Sequence, residues 1–216
     1  MLSLKSLHNL HLAWARTLRG ENADYRNLQR IEIDSFGWAE EDNLKHLQKE
    51  FNDNTFSPNQ ATKIYIPKPS GLLRPITILR IQDTIIYQAI ANVIAERAIK
   101  YLEKYYYLTT FSNILNSTPN YTYFYQPWKN GRRKLDLARK QSFTIGNVWV
   151  GELDLTSFYD VIDHVLLYEL LNKFYDDEET LRLLLSCLSQ WTVHPLVLNM
   201  DMEYRKDLYL HPLLQS

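Results

Sequence analysis

The chain has 216 residues, of which 45% are hydrophobic and 23% charged, and its formal net charge is −1. This composition is typical of a globular protein, and the charge balance excludes a uniformly basic coat while allowing a local basic patch. A single cysteine, Cys187, excludes a disulfide framework and a thiolate zinc site. We find neither an apolar stretch long enough to span a membrane nor a signal-peptide cleavage site, so we expect a cytoplasmic protein.

Two helices are predicted near the N-terminus, over residues 3–19 and 39–51. Apolar residues recur in both segments at a spacing of three or four, which is the period of an amphipathic helix. In the first helix this spacing places Leu10 and Trp14 on the same buried stripe. We therefore assign residues 1–60 to an N-terminal helical region.

A strand–turn–strand pattern follows over residues 63–78. Its turn is rich in Pro and Gly, whose restricted or permissive dihedral angles favour chain reversal. Lys68 lies at the bend and Arg74 begins the return strand. An ammonium and a guanidinium on one hairpin could hold a triphosphate, the guanidinium by bidentate contacts. The alternative is an exposed hairpin whose basic side chains are simply solvated.

The middle of the chain combines a long helix with an aromatic and basic region. The helix is predicted to run from Asp83, its expected N-cap, to about Tyr101. In residues 121–140 tyrosines and a phenylalanine are followed by clustered basic residues, of which we select Lys129, Arg132 and Arg133. Rings stack on bases and cations follow phosphates, so this region could contact nucleic acid. The alternative is a surface loop with half-buried tyrosines.

A strand ending in a carboxylate is predicted over residues 147–155. Its β-branched and aromatic residues lead to Asp154, and Mg²⁺ prefers oxygen ligands held rigidly in this way. Phosphoryl transfer by two metal ions requires several such acids to converge. Alternatively, Asp154 could merely end the strand, while Asp160 and Asp163 could merely cap the following helix.

Two more helices are predicted over residues 164–175 and 178–191. Asp163 and Asp176 are their expected N-caps, because an Asp before an apolar-periodic run marks a helix start. Cys187 lies on the apolar face of the second helix and is expected in the core.

The hairpin and the acidic segment together resemble reverse transcriptases, especially bacterial ones of the group II intron-like and defence-associated types. The hairpin IYIPKPSGLLRPITIL matches the fingers pattern IPKPxGxxRPI. The segment DLTSFYDVIDH, residues 154–164, matches the first catalytic motif of the palm, D-I/L-xx-F-F/Y-D-x-I-D-H, at every marked position. The motifs lie about 80 residues apart in the family's order, and the resemblance covers roughly residues 50–190.

The resemblance implies a helix-rich α/β (α+β) fold with right-hand polymerase fingers and a partial palm. Residues 61–150 would form the fingers and residues 151–216 the partial palm. The implied activity is that of an RNA-directed DNA polymerase, a nucleotidyltransferase that uses Mg²⁺, an RNA template, a DNA primer and deoxynucleoside triphosphates. A role in antiviral defence is one setting that the family offers.

The family's motifs also imply individual roles. Asp154 would be the catalytic residue that ligates Mg²⁺, with the carbonyl of Leu155 assisting. Lys68 and Arg74 would hold the triphosphate. Tyr159 would lie under the incoming sugar, where its ring would exclude a 2′-hydroxyl.

The chain departs from the family pattern after about residue 191. The family's second acidic motif, an aromatic and any residue before two aspartates, is missing, as is the Gly-Pro-Gln-Gly motif before it. One codon choice for residues 202–211, read from its third nucleotide, encodes Gly-Ile-Pro-Gln-Gly-Pro-Ile-Ser-Pro, which resembles the missing motif. We therefore expect that residues 192–216 could be out of frame and that the isolated chain folds poorly and is inactive. Two alternatives are a nucleic-acid-binding fragment without catalysis and the nonfunctional product of a frameshifted gene.

Overall fold

The computed structural model describes residues 2–19, 27–67, 69, 71–116, 123–155, 158 and 162–192. In this part of the chain the fold is helix-rich α+β, with one antiparallel two-stranded sheet. In chain order the elements are α1 (Leu7–Arg19), α2 (Arg30–Trp38), α3 (Glu40–Asn52), β1 (Thr62–Pro67), β2 (Leu73–Ile78), α4 (Ile81–Leu102), α5 (Trp128–Thr144), α6 (His164–Asn172) and α7 (Glu178–Trp191).

The predicted N-terminal helices are confirmed, with small shifts at their ends. α1 begins at Leu7 rather than residue 3, because residues 3–6 form a turn in which Ser6 N donates to the carbonyl of Ser3. Leu10 and Trp14 are buried as their spacing predicts. An additional short helix, α2, places Phe36 against Trp14, with ring centroids 4.9 Å apart.

The predicted hairpin is also confirmed. β1 and β2 pair in a register that places Ile66 opposite Arg74 and Pro67 opposite Leu73. Gly71 in the turn has a φ of 82°, in the left-handed region that glycine adopts without steric cost. The local turn chemistry therefore determines where the chain reverses.

The larger of two hydrophobic clusters among the described residues joins the first helix to the last. α4 runs through it and buries Ile85, Ile86 and Ile90, while α7 contributes residues such as Cys187. Cys187 is fully buried, which confirms its predicted core position, and burial raises the pKa of its thiol to about 12. The predicted boundaries at residues 60 and 150 stay predictions, and the core takes side chains from all three predicted regions.

Helix starts follow the predicted caps only in part. Asp163 caps α6, where its Oδ1 accepts hydrogen bonds from Val165 N (2.8 Å) and Leu166 N (3.0 Å), as predicted. Asp83 does not cap α4, which begins at Ile81. Likewise, the cap of α7 is Asp177 and not Asp176.

The predicted strand over residues 147–155 is wrong. The segment has no regular secondary structure, and every one of its residues is exposed. A strand is stable only when a neighbour satisfies its backbone groups, and the only strands among the described residues pair with each other. β-propensity alone therefore did not produce a strand. None of the described helices, including the 22-residue α4, is long and apolar enough to cross a membrane.

Candidate functional site

The hairpin presents Arg74 to solvent. Arg74 is an exposed β2 residue and forms no ion pair with any described residue. Its partner across the sheet, Ile66, is half-buried, so the strand is anchored while the guanidinium remains accessible. Lys68, the other predicted triphosphate contact, lies outside the described residues.

The predicted metal ligands lie on the irregular segment before α6. Asp154 is exposed, as is Leu155, whose side chain is 72% accessible. One ion pair, Arg139 Nη2 to Glu152 Oε1 at 3.5 Å, connects the segment to α5. The carboxylate of Asp154 is therefore open to solvent rather than held at the end of a paired strand.

The parts of the predicted site are not joined by direct polar contacts among the described residues. No hydrogen bond or ion pair among them joins the hairpin to Asp154. No group of three or more His, Cys, Asp or Glu in the described ranges could hold a metal ion. Tyr159 and Asp160 lie outside these ranges.

The predicted nucleic-acid contacts lie on a helix, α5, instead of a surface loop. Gly131 allows this helix to lie close to the backbone at Phe111, because a Cβ there would clash with the carbonyl oxygen of Phe111. Lys134 Nζ lies 5.8 Å from the ring centroid of Tyr107 and provides a second, cation–π contact. One face of α5 is thus docked against the segment after α4.

The outer side of α5 is basic. Arg132 pairs with Asp136 at 3.4 Å, whereas Lys129 and Arg133 form no ion pair in the described part of the chain. Together with Trp128, which is 64% exposed, these side chains line an open groove of about 450 Å³. The groove therefore combines cationic groups with an indole face, the combination expected for phosphate contacts and base stacking.

A buried polar network between α1 and α4 was missed by the sequence reasoning. Arg16 Nη1 donates to Asn92 Oδ1 at 2.6 Å, and Asn92 Nδ2 donates to Asn9 Oδ1 at 3.0 Å. Asn9 Nδ2 in turn donates to the carbonyl of Ala89. The sequence does contain a signal for this network: Asn9 and Arg16 are seven residues apart, so both lie on the apolar face of α1.

No protein-family model matches the chain. Protein YkfC of Escherichia coli strain K12 is 25% identical over 144 residues, which cover 65% of this chain and 34% of that protein. The chain thus spans about a third of the curated relative that it matches.

Proposed function

We propose that the chain comprises the fingers and the first part of the palm of a reverse transcriptase, an RNA-directed DNA polymerase. The observation that carries the proposal is the occurrence of two family motifs in the family's order. They are the hairpin with Lys68 and Arg74, and the pattern over residues 154–164. The parent reaction is the template-directed addition of deoxynucleotides to the 3′ end of a DNA primer on an RNA template.

The hairpin supports this proposal through its shape and its charge. It is an antiparallel pair of strands whose connection contains Gly71 in the left-handed region, and it carries an exposed guanidinium that no described acid neutralises. Arginine can bind phosphate oxygens with two parallel hydrogen bonds, so Arg74 is chemically suited to a triphosphate. The part assigned to Lys68 rests on the motif alone.

The described residues do not fit a centre with two Mg²⁺ ions. Asp154 and the carbonyl of Leu155 are the oxygen donors that the first motif offers here, and no acid cluster accompanies them in the described ranges. Two ions about 4 Å apart require several bridging carboxylates. We therefore expect the 216-residue chain to lack polymerase activity.

The reading frame provides the direct test of the polymerase proposal. The coding DNA after about residue 191 is read in its second frame, and the frame-restored protein is assayed by primer extension with Mg²⁺. We expect the frame-restored protein to extend the primer and the 216-residue chain not to extend it. In the frame-restored protein, Asp154→Ala should reduce extension to background. A second frame without an aspartate pair would refute the frameshift, and an active Asp154→Ala protein would refute the metal-ligand assignment.

Nucleic-acid binding without catalysis is the second candidate, and the basic outer side of α5 favours it. Each phosphate contact contributes roughly 0.9 to the slope of log K against log salt for duplex binding. We expect a combined variant to lower the slope on an RNA–DNA hybrid by about 2 to 3. That variant is Lys129→Met, Arg132→Met and Arg133→Met.

The matched control removes the same charge from α2 and α3. It combines Arg30→Met, Lys45→Met and Lys49→Met, and we expect it to keep the slope. Equal slopes in all three proteins would exclude α5 as the interface. The absence of salt-dependent binding in the parent chain would instead favour the third reading, a nonfunctional product.

A further inference from the structure

We propose that the cavity around Arg16 binds a phosphate group. The cavity lies between α1, α4 and the segment after α4, has a volume of about 300 Å³, and is separate from the hairpin, from Asp154 and from the groove on α5. The inference does not depend on the polymerase proposal, because none of its residues belongs to either family motif.

The first argument is that Arg16 is a buried cation without a partner acid. Its exposure is 8%, and no carboxylate of a described residue lies within 4 Å of its guanidinium. Burial lowers the pKa of this guanidinium from its ordinary value. Proteins almost never bury a charged side chain unless it is paired, so an anion from outside is the missing element.

The second argument is the geometry of the open donors. Nη1 of Arg16 is engaged by Asn92, whereas Nε is buried without any hydrogen-bond partner and Nη2 has none among the described residues. Nε and Nη2 form one edge of the guanidinium, with two parallel N–H groups. This edge is the fork that binds phosphate or carboxylate oxygens in a bidentate manner.

The third argument concerns the other walls of the cavity. The Arg16 guanidinium lies 5.1 Å from the ring centroid of Phe124, which holds its plane in place. Lys100 lines the same cavity and adds a second positive charge. The carboxylate of Glu96 also lines it, but its Oε2 accepts a hydrogen bond from Leu2 N at 2.7 Å. Two cations and one carboxylate leave the lining net positive, and the open fork of Arg16 matches the several oxygens of a phosphate.

The experiment measures phosphate binding at constant ionic strength, with potassium chloride as the reference salt. We expect inorganic phosphate to raise the melting temperature of the parent chain and of Arg19→Met, an exposed-residue control on the same helix. We expect no phosphate-dependent rise in Arg16→Met, which removes the buried charge and keeps a side chain of similar length.

Two further variants keep the proposal falsifiable if Arg16→Met does not fold. Arg16→Lys keeps the charge but loses the fork, and Lys100→Met changes an exposed side chain. We expect both to bind phosphate at least tenfold more weakly by titration calorimetry. Parent-like affinity in both variants, or no phosphate effect beyond that of chloride, would overturn the proposal.

The source of the phosphate is resolved by three probes: inorganic phosphate, a deoxynucleoside monophosphate and a single-stranded oligonucleotide. Arg16-dependent binding of the first two identifies a small-molecule site. Arg16-dependent binding of the oligonucleotide alone identifies a nucleic-acid backbone phosphate. If none of the three binds in an Arg16-dependent way, the cavity is not a phosphate site.

Discussion

Asp83 shows how a single residue can have a role other than the one its position suggests. Its carboxylate is buried, and it accepts hydrogen bonds from Asn59 N at 3.0 Å and from Asn59 Nδ2 at 2.9 Å. It thereby fixes the polar connector before β1 to the base of α4. The residue stabilises a tertiary contact rather than a helix end.

We predict that Asp83 contributes to the free energy of unfolding at low pH and that this contribution declines as the pH rises. Burial raises the pKa of Asp83 above its ordinary value of 3.8, although the Asn59 hydrogen bonds oppose this shift. The folded state therefore holds the proton more tightly than the unfolded state. The resulting stabilisation is complete below the pKa that Asp83 has in the unfolded chain. It is lost as the pH rises through the pKa that Asp83 has in the folded protein.

Asp83→Asn has no titrating group at this position and should remove that contribution. Melting temperatures of both proteins between about pH 3 and pH 7 test the direction of this pH dependence. The melting temperature of the parent chain, relative to that of Asp83→Asn, should fall as the pH rises. A parent chain whose relative stability increases over this range would contradict the burial argument. Asp34→Asn, an exposed change on α2, is the control.

Residue-level sequence reasoning succeeded where the determinant was local. Asp163 caps α6 and Gly71 lies in the hairpin turn, because both positions depend on the backbone within a few residues. It failed for Asp83 and for Arg16, whose partners lie 24 and 76 residues away. A polar residue on an apolar face indicates a buried network, but the identity of the partner requires the fold.

At the scale of elements, α7 is preceded by two adjacent aspartates, either of which could cap its N-terminus. Asp177 Oδ1 accepts from Thr180 N at 3.1 Å, and its Oδ2 accepts from the Thr180 hydroxyl at 2.8 Å. Asp176 is exposed and lies 3.9 Å from an Arg97 nitrogen. The sequence predicts the extent of α7 correctly, but it does not distinguish two adjacent aspartates.

We predict that Asp177→Ala lowers the free energy of unfolding by about 0.5–2 kcal/mol, the usual loss for an N-cap. Asp176→Ala should change it by no more than about 0.5 kcal/mol, because a single exposed ion pair contributes little. Urea denaturation of both variants measures the difference. A larger loss in Asp176→Ala would mean that α7 begins one residue earlier than described.

The segment over residues 147–155 shows the limit of element prediction. Its composition is that of a strand, yet strand formation depends on a neighbour that local sequence does not reveal. The hairpin formed because both of its strands lie within residues 62–78 and only a short connection separates them. The same difference separates the predicted site residues, since Arg74 is positioned by local pairing and Asp154 is not.

At the scale of the whole molecule, one stretch of surface is unusually apolar. From the last turn of α5 to residue 158, large hydrophobic side chains are exposed in close succession. They are Phe143, Ile145, Val148, Trp149, Val150, Leu153, Leu155 and Phe158. Exposed apolar side chains in such close succession add apolar surface of the kind that promotes association.

We predict that this stretch dominates the binding of a hydrophobic fluorescent dye. Trp149 and Leu153 are 93% and 103% exposed, so replacing both with Ser removes apolar surface without touching the core. We expect Trp149→Ser with Leu153→Ser to lower dye fluorescence by about half or more and to leave the melting temperature within a few degrees. Trp38→Ser is the matched control, because Trp38 is 88% exposed but belongs to α2. An equal loss of fluorescence in Trp38→Ser would show that scattered aromatic residues, and not the 143–158 stretch, bind the dye.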